Sequence, residues 1–318
     1  MFIQNLIDHL KAKDHIYIQT HNFPDHDAVA SAYGLQKLLS EFAIRTSIIF
    51  EGELQRDSLK KMINDFGIDI RNASEYELRE DDWIVIVDGC KGNKNVTDLI
   101  GDEIAVIDHH NVISPEDVPL IDIRPGYGAC STIIYSYFRD CNVVINRDTA
   151  TVLLIGINMD TALLTRGVSE DDIDAYANLY SAANVSQVNS LLRNYIQTKD
   201  LNFYRYAIDN LKIEQSVAFC YFPQGCNQNL LGILGDFILA LEEVDFVILC
   251  ADNEDKINIS VRSERQDWNA SKIIQDVLRG IGFGGGHADM AGGIIKEKSD
   301  FNSEGFLKSF MTHMPGLE

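Results

Sequence analysis

The strongest constraint on this chain is a series of short apolar runs, each bounded by polar residues or glycine and separated by segments of helical spacing. His15-Ile16-Tyr17-Ile18-Gln19-Thr20 is the first; residues 46–50, 83–87, 104–107 and 152–155 follow. Short runs rich in Ile and Val predict strands covered on both faces, the pattern of a mostly parallel sheet with helices on either side. Helical stripes supply the covering layers. Phe2, Ile3, Leu6, Ile7 and Leu10 form one, and Val29, Ala32, Tyr33, Leu35, Leu38, Leu39 and Phe42 form another over residues 28–42.

The second half repeats the alternation on a smaller scale. Residues 179–211 are polar with an apolar stripe of Val185, Val188, Leu191, Leu192 and Tyr195, which reads as a helical connection. Strand-like segments follow at 216–222, 245–250 and 256–262, with helices expected at 230–241 and 270–279. A length of 318 residues, 46% hydrophobic, suffices for two cores. The expected fold class is α/β: a mostly parallel sheet flanked by helices over residues 1–190, a linker helix over 191–211, and a smaller α/β domain over 212–318.

Charge narrows the partners. With 48 acidic against 27 basic residues the net charge is −21, a field that repels duplex nucleic acid. A small phosphorylated ligand is still admitted, because divalent cations and a few local Arg or Lys residues set the potential inside a cleft. The same acidity also serves plain solubility. The 6 cysteines lack any Cys-x-x-Cys pair, against a zinc site or a disulfide framework. Asp8, Lys11 and Lys13 interrupt the N-terminal segment, so a cytoplasmic protein with no membrane partner is expected.

The acids fall where such sheets place ligands. Asp88 directly follows the run at 83–87, Asp108 the run at 104–107, and Asp160 lies just past the run at 152–155. His21-Asn22-Phe23-Pro24-Asp25-His26-Asp27-Ala28 follows the first run; alternation along an extended loop lets Asp25 and Asp27 share a side. Taken alone, Asp27 can equally cap the following helix while Asp25 is solvated, and His109 or His110 can be hydrogen-bonded structural residues. Together, acids after several runs, with histidines after two of them, point to a metal. Oxygen and imidazole ligands without thiolate suit manganese better than structural zinc. Ser131, in Ala129-Cys130-Ser131-Thr132-Ile133, marks a helix start whose amides either receive an anion or are simply capped. Gly284-Gly285-Gly286-His287 reads as a glycine-rich loop, either a plain turn or, paired with Arg262, a ligand clamp.

These segments resemble the successive motifs of the DHH phosphoesterases: His21 to Ala28, Val87-Asp88, Asp108-His109-His110 and Asp160-Thr161, with Val261-Arg262-Ser263 and the Gly284 to His287 segment resembling the DHH-associated C-terminal domain. The similarity runs in order along essentially the whole chain. It implies two manganese ions, with magnesium or cobalt as alternatives. One would be held by His21, Asp25 and Asp88 and the other by Asp27, Asp88, His109 and Asp160. The catalytic set it implies is Asp88 as bridge, His110 against the scissile phosphate and Asp108 orienting an imidazole. Ser131, Arg262, Ser263, Gly285, Gly286 and His287 would contact substrate.

The implied activity is hydrolysis of short oligonucleotides, linear or cyclic dinucleotides, or pAp (adenosine 3′,5′-bisphosphate) by water attack between two metals. Inorganic pyrophosphatase or exopolyphosphatase is the alternative within enzymes, and an inactive nucleotide-binding regulator the alternative outside them. A homodimer is compatible with the pattern. Gly89-Cys90-Lys91 after the second motif and Ala288-Asp289-Met290-Ala291 after the glycine run depart from the usual pattern, which bears on substrate preference rather than on the ligands.

Overall fold

A computed structural model describes residues 1–193 and 196–316; residues 194 and 195, within the expected connecting helix, and 317–318 lie outside the described set, Tyr195 among them. The chain divides into two compact units, Met1–Tyr195 and Ile196–Glu318.

In the first unit, α1 (Phe2–Leu10) leads into β1 (Ile16–Gln19), α2 (His26–Ser40), β2 (Thr46–Phe50), α3 (Asp57–Phe66), β3 (Ile70–Asn72), β4 (Trp83–Val87), β5 (Asp102–Asp108) and β6 (Leu120–Ile123). All the strand pairs are parallel and the order is β3-β2-β1-β4-β5-β6, so the winding reverses between β1 and β4. Ligand crevices open at such reversals, at the carboxyl ends of the strands. Helices α4 (Cys130–Asp140), α5 (Arg147–Asp160), α6 (Glu170–Ala182) and α7 (Val185–Arg193) complete the unit. The stripe on α1 packs as the spacing requires: Ile3, Leu6, Ile7 and Leu10 are all fully buried, worth roughly 1.5–3 kcal/mol each.

Residues 152–155 are not a strand. They lie in the middle of α5, where Thr149 through Asn158 are all buried against α2, α4, α6 and α7. A helix covered on every side loses its polar face, so its apolar run is indistinguishable by period from a buried strand. Asp160 therefore stands on the last turn of a helix rather than beyond a strand. The expected connecting helix over 191–211 is also broken: α7 ends at Arg193, a 3₁₀ turn spans Thr198–Asp200, and α8 (Leu201–Asn210) begins the second unit's helices.

The second unit contains β7 (Lys212–Glu214), β8 (Val217–Phe222), α9 (Gln228–Leu239), β9 (Phe246–Asn253), β10 (Lys256–Ser263), α10 (Ala270–Val277), β11 (Gly282–Gly286), β12 (Met290–Ile295) and α11 (Ser303–Met311). Its sheet runs β11-β12-β10-β9-β8-β7, with β8 and β9 parallel and the other pairs antiparallel. The glycine-rich segment is thus an edge strand, not a loop. A Cβ on Gly282 would collide with the Ile294 carbonyl, and one on Gly284 would press to 3.1 Å of Ile274, so the close approach of the neighbouring backbone and of α10 demands glycine.

Candidate metal centre

Every candidate ligand of the first unit sits at the carboxyl ends of β1, β4 and β5 or at a helix end facing them. His21 follows β1, Asp25 precedes α2, and Asp27 lies in its first turn. Asp88 follows β4 with φ of 57°, a left-handed backbone that Asp tolerates better than most residues, and its N–H donates to the Ile107 carbonyl at 2.9 Å. Three groups have ligand atoms within 4.8 Å of one another: His21, Asp25 and Asp88; Asp27, His109 and Asp160; and Asp88, His109 and His110. Asp88 belongs to two of them, with Oδ2 3.7 Å from His21 Nε2 and Oδ1 3.4 Å from His109 Nε2. His109 Nε2 also lies 3.2 Å from Asp160 Oδ2.

Backbone groups set the direction of these side chains. His21 Nδ1 bonds the Asn22 carbonyl at 2.9 Å and His109 Nδ1 the Tyr127 carbonyl at 3.1 Å. A carbonyl only accepts, so both rings carry their proton on Nδ1 and turn the Nε2 lone pair toward the carboxylates. Asp25, rather than Asp27, caps α2, its Oδ1 accepting from Asp27 N–H at 3.0 Å and Ala28 N–H at 3.1 Å. Asp27 is fully buried and is held instead by the first amides of α4, Cys130 N–H at 2.6 Å to Oδ2 and Ser131 N–H at 3.0 Å to Oδ1. The helix start offered to a substrate anion is therefore taken by the protein's own carboxylate, and Ser131, fully buried, meets Ser31 Oγ at 3.3 Å. Asp108 is also fully buried and accepts from His110 Nδ1 at 2.7 Å, which fixes that ring.

Crowding of acids and imidazoles moves their protonation. Burial, then the nearby Asp160, pushes Asp27 up to about 7, although His109 and Ser131 oppose this. Burial, then Asp27, pushes Asp88 up to about 7 against the pull of His110 and His109. Burial disfavours charge on His110, but the bond to Asp108 and the charge of Asp88 prevail and raise it to about 9. His109 is raised well above its usual range in spite of burial, by Asp160 and Asp88. At Asp25 burial would favour the neutral acid, yet His21 and Arg56 hold it down at about 2.

Two polar atoms test whether this constellation suits a cation. Asp88 Oδ1 and His109 Nε2 are buried and, among the described residues, make no well-aligned hydrogen bond, although they face each other at 3.4 Å and Asp160 Oδ2 lies 3.2 Å from the same nitrogen. A lone pair aimed at carboxylate oxygens is repulsive unless a proton or a cation lies between them. The donor set, oxygen and imidazole without sulfur, suits a hard or intermediate divalent ion such as Mn²⁺. The residues fit the group.

Comparison with known proteins assigns the chain. Residues 15–157 match the N-terminal domain of the DHH family, and residues 214–309 match the DHHA1 domain. The chain belongs to the DHH family. An uncharacterized protein of Methanocaldococcus jannaschii is 29% identical over 291 residues, 90% of this chain. A probable manganese-dependent inorganic pyrophosphatase of Streptococcus thermophilus is 28% identical over 152 residues, 47% of this chain. The chain spans 60% and 49% of the lengths of these two curated relatives. An exopolyphosphatase-related protein from Bacteroides fragilis shares the fold, with a TM-score of 0.80 at 20% identity over 98% of this chain and 94% of that one.

In the DHHA1 domain, the side chain of Arg262 runs under α9. Its Nε donates to Asp236 Oδ1 at 2.6 Å and its Nη1 to Ser260 Oγ at 3.2 Å and the Val261 carbonyl at 3.0 Å. Gly232 and Gly235 of α9 make room for it, since a Cβ on Gly232 would lie 2.8 Å from Nη2. Ser263 is buried and donates its N–H to the Asp289 carbonyl at 2.8 Å. Gly285 and Gly286 lie in β11, and His287, exposed just after it, donates its N–H to the Met290 carbonyl at 2.7 Å. In the DHH domain the motifs leave out Gly156. A Cβ there would sit 2.7 Å from Asp27 Oδ1 and 3.0 Å from the Ala30 Cβ, so the carboxylate and α4 reach their positions only because α5 carries glycine at that point. A glycine amid the apolar run of a buried helix was the available signal.

Proposed function

We propose that this DHH-family chain is a manganese-dependent phosphoesterase that hydrolyses short oligonucleotides or dinucleotides, with pAp as a further substrate. The observation that carries the reading is the convergence of buried ligand atoms that no well-aligned hydrogen bond satisfies among the described residues, Asp88 Oδ1 and His109 Nε2 facing each other at 3.4 Å with Asp160 Oδ2 3.2 Å from that nitrogen. His21, Asp25 and Asp88 would hold one ion, and Asp27, Asp88, His109 and Asp160 the other. When bound, such ions would lower the pKa of an adjacent water and stabilise charge on the phosphoryl oxygens.

The remaining chemistry belongs to the chain. Asp108 fixes His110 through Nδ1 and favours its charged form, leaving the ring suited to donate toward a phosphoryl oxygen as charge grows there. The backbone carbonyls of Asn22 and Tyr127 hold His21 and His109 in the ligand tautomer, so no reorganisation is needed when the ions arrive. Arg262, Ser263, Gly285, Gly286 and His287 are offered as substrate contacts. Arg262 has a guanidinium already oriented by Asp236 and Ser260. Cytoplasmic location fits this substrate class, and among the described residues no helix is long and apolar enough to cross a membrane.

A pyrophosphatase reading is favoured by one observation, the likeness to the probable manganese-dependent inorganic pyrophosphatase, but that likeness is limited to 152 residues. A manganese-supplemented panel of pyrophosphate, pAp, linear and cyclic dinucleotides and a longer oligonucleotide separates the two. Turnover of dinucleotides or pAp with little of pyrophosphate is expected; turnover of pyrophosphate alone would replace the proposal with the second reading, and tight dinucleotide binding without turnover would make the chain a regulator.

A further inference from the structure

The peptide unit joining Tyr127 to Gly128 lies between a candidate ligand and a carboxylate outside the ligand set. Its carbonyl accepts the Nδ1 proton of His109 at 3.1 Å, and its N–H donates to Asp172 Oδ2 at 2.7 Å. Asp172 is fully buried near the start of α6. Its Oδ2 also accepts from Ser169 N–H at 2.8 Å and Ser169 Oγ at 2.6 Å, and its Oδ1 from Thr132 Oγ1. The Ser169 bonds form an ordinary helix capping box. Those from Gly128 and Thr132 do not belong to any cap of α6, because they come from a distant stretch of chain.

Thr132 extends the effect to a second ligand. It lies in the first turn of α4, whose Cys130 and Ser131 amides grip Asp27. Gly128 also lies against the residue next to the third member of the group: a Cβ there would come within 2.7 Å of Thr161, the residue after Asp160, and 2.6 Å of the Gly167 carbonyl. One buried carboxylate thus braces the surroundings of Asp27 and His109 at once.

We propose that Asp172 is a positioning residue for a metal ion held by Asp27, His109 and Asp160, acting on His109 through the Tyr127–Gly128 peptide and on Asp27 through the first turn of α4. This rests on the metal-centre reading above. A carboxylate at a peptide N–H polarises the amide and makes its carbonyl a stronger acceptor, which holds the imidazole in the ligand tautomer. Metal-bound histidines commonly receive such support directly from a carboxylate; here a peptide is interposed. Asparagine can keep an oxygen on the Gly128 N–H by turning its NH₂ to the Thr132 hydroxyl, which also accepts, but it loses the negative charge that polarises the peptide and reverses the bond to α4.

The test is titration of Mn²⁺ alone, followed by calorimetry, into wild-type protein and Asp172→Asn. The wild type is expected to bind two ions, and the variant to weaken one of them by roughly 10- to 100-fold while the other stays within about twofold. A folded Asp172→Asn protein with both sites unchanged, or with both weakened alike, overturns the proposal. If circular dichroism shows that Asp172→Asn does not fold, Thr132→Val takes its place, with a loss of about threefold or more expected at the same single site and no change counting against it. Wild-type protein that binds two ions but hydrolyses nothing in the substrate panel sinks the functional reading and leaves this inference standing. Wild-type protein that binds no Mn²⁺ removes both.

Discussion

Replacing Asp88 by asparagine should abolish turnover and at the same time make the metal-free protein more stable. Asp88 is 1% exposed and is held at about 7 instead of 3.8, first by burial and then by Asp27. A rise of roughly three units means that its charged form costs the fold about 4 kcal/mol once it is fully ionised. Because the folded value is the raised one, the penalty is absent below pH 3.8, grows as pH rises, and is complete above about pH 7. Asparagine removes it at nearly constant volume. The substitution also strips His21, His109 and His110 of a negative neighbour, which takes back part of the gain. These imidazoles are raised, so their contribution is present below the ordinary histidine range and fades toward about pH 9 for His110, and its loss is felt most at low pH. Both effects therefore make Asp88→Asn more favourable at pH 8 than at pH 5.5. A net gain of about 1–2 kcal/mol at pH 8 corresponds to a Tm increase of roughly 2–8 °C for a domain of this size. The assay is thermal melting in EDTA at both pH values, repeated with Mn²⁺, which should raise the wild-type Tm and leave the variant's unchanged. A variant that melts below wild type at pH 8 in EDTA, or a gap equal at the two pH values, refutes the reasoning.

Mn²⁺ must displace protons from Asp27 and Asp88, both near 7, and from His109, raised well above its usual range, so its apparent affinity should fall with pH by roughly one decade per unit for each proton displaced, most steeply below pH 7; calorimetry at pH 6, 7 and 8 that finds a constant Kd would contradict the charge balance of the site. Gly156→Ala gains at most about 1 kcal/mol of helix propensity but overpacks against Asp27, Ser131 and Ala30 at a cost of about 1–3 kcal/mol. It should weaken Mn²⁺ binding, and an unaltered metal titration would show that the carboxylate has room to spare. Arg262→Ala should raise KM for nucleotide substrates more than it lowers kcat, assayed well below the variant's Tm because removing this buried side chain also leaves a cavity beneath α9; equal kinetics on dinucleotide would exclude Arg262 from substrate binding.

Much of the fold was legible because its strands obey one local rule. β1, β2, β4 and β5 each appear as an apolar run with an abrupt polar end, and the residues after β1, β4 and β5 supply site side chains. The rule fails where burial is complete or slight. Helix α5 is so enclosed that residues 152–155 lose helical contrast, while β3 and β6 are edge strands of intermediate exposure with too little apolar signal to be seen. β11 fails for another reason. Its glycines are required by the neighbouring backbone and α10, and side-chain patterning has no term for that.

The same distinction explains which parts of the metal centre the motifs reveal. Ligands are recognisable because Asp and His are rare in combination and their chemistry is distinctive. What holds them here is mostly backbone: the carbonyls of Asn22 and Tyr127 orient the imidazoles, and the amides of Cys130 and Ser131 grip Asp27. Every residue but proline carries the same two backbone groups, so no residue type marks the positions that do this. The marks lie in side chains that make the backbone arrangement available. Gly156 supplies the space beside Asp27, Gly128 lets the 161–167 segment approach, and Asp172 ties the Tyr127–Gly128 peptide to α4. A glycine inside a buried helix and a fully buried acid after a capping serine are each unremarkable alone. Their meaning appears only when the chain folds them against the ligands, which is why substitutions at Gly156 and Asp172 probe the centre without replacing a ligand.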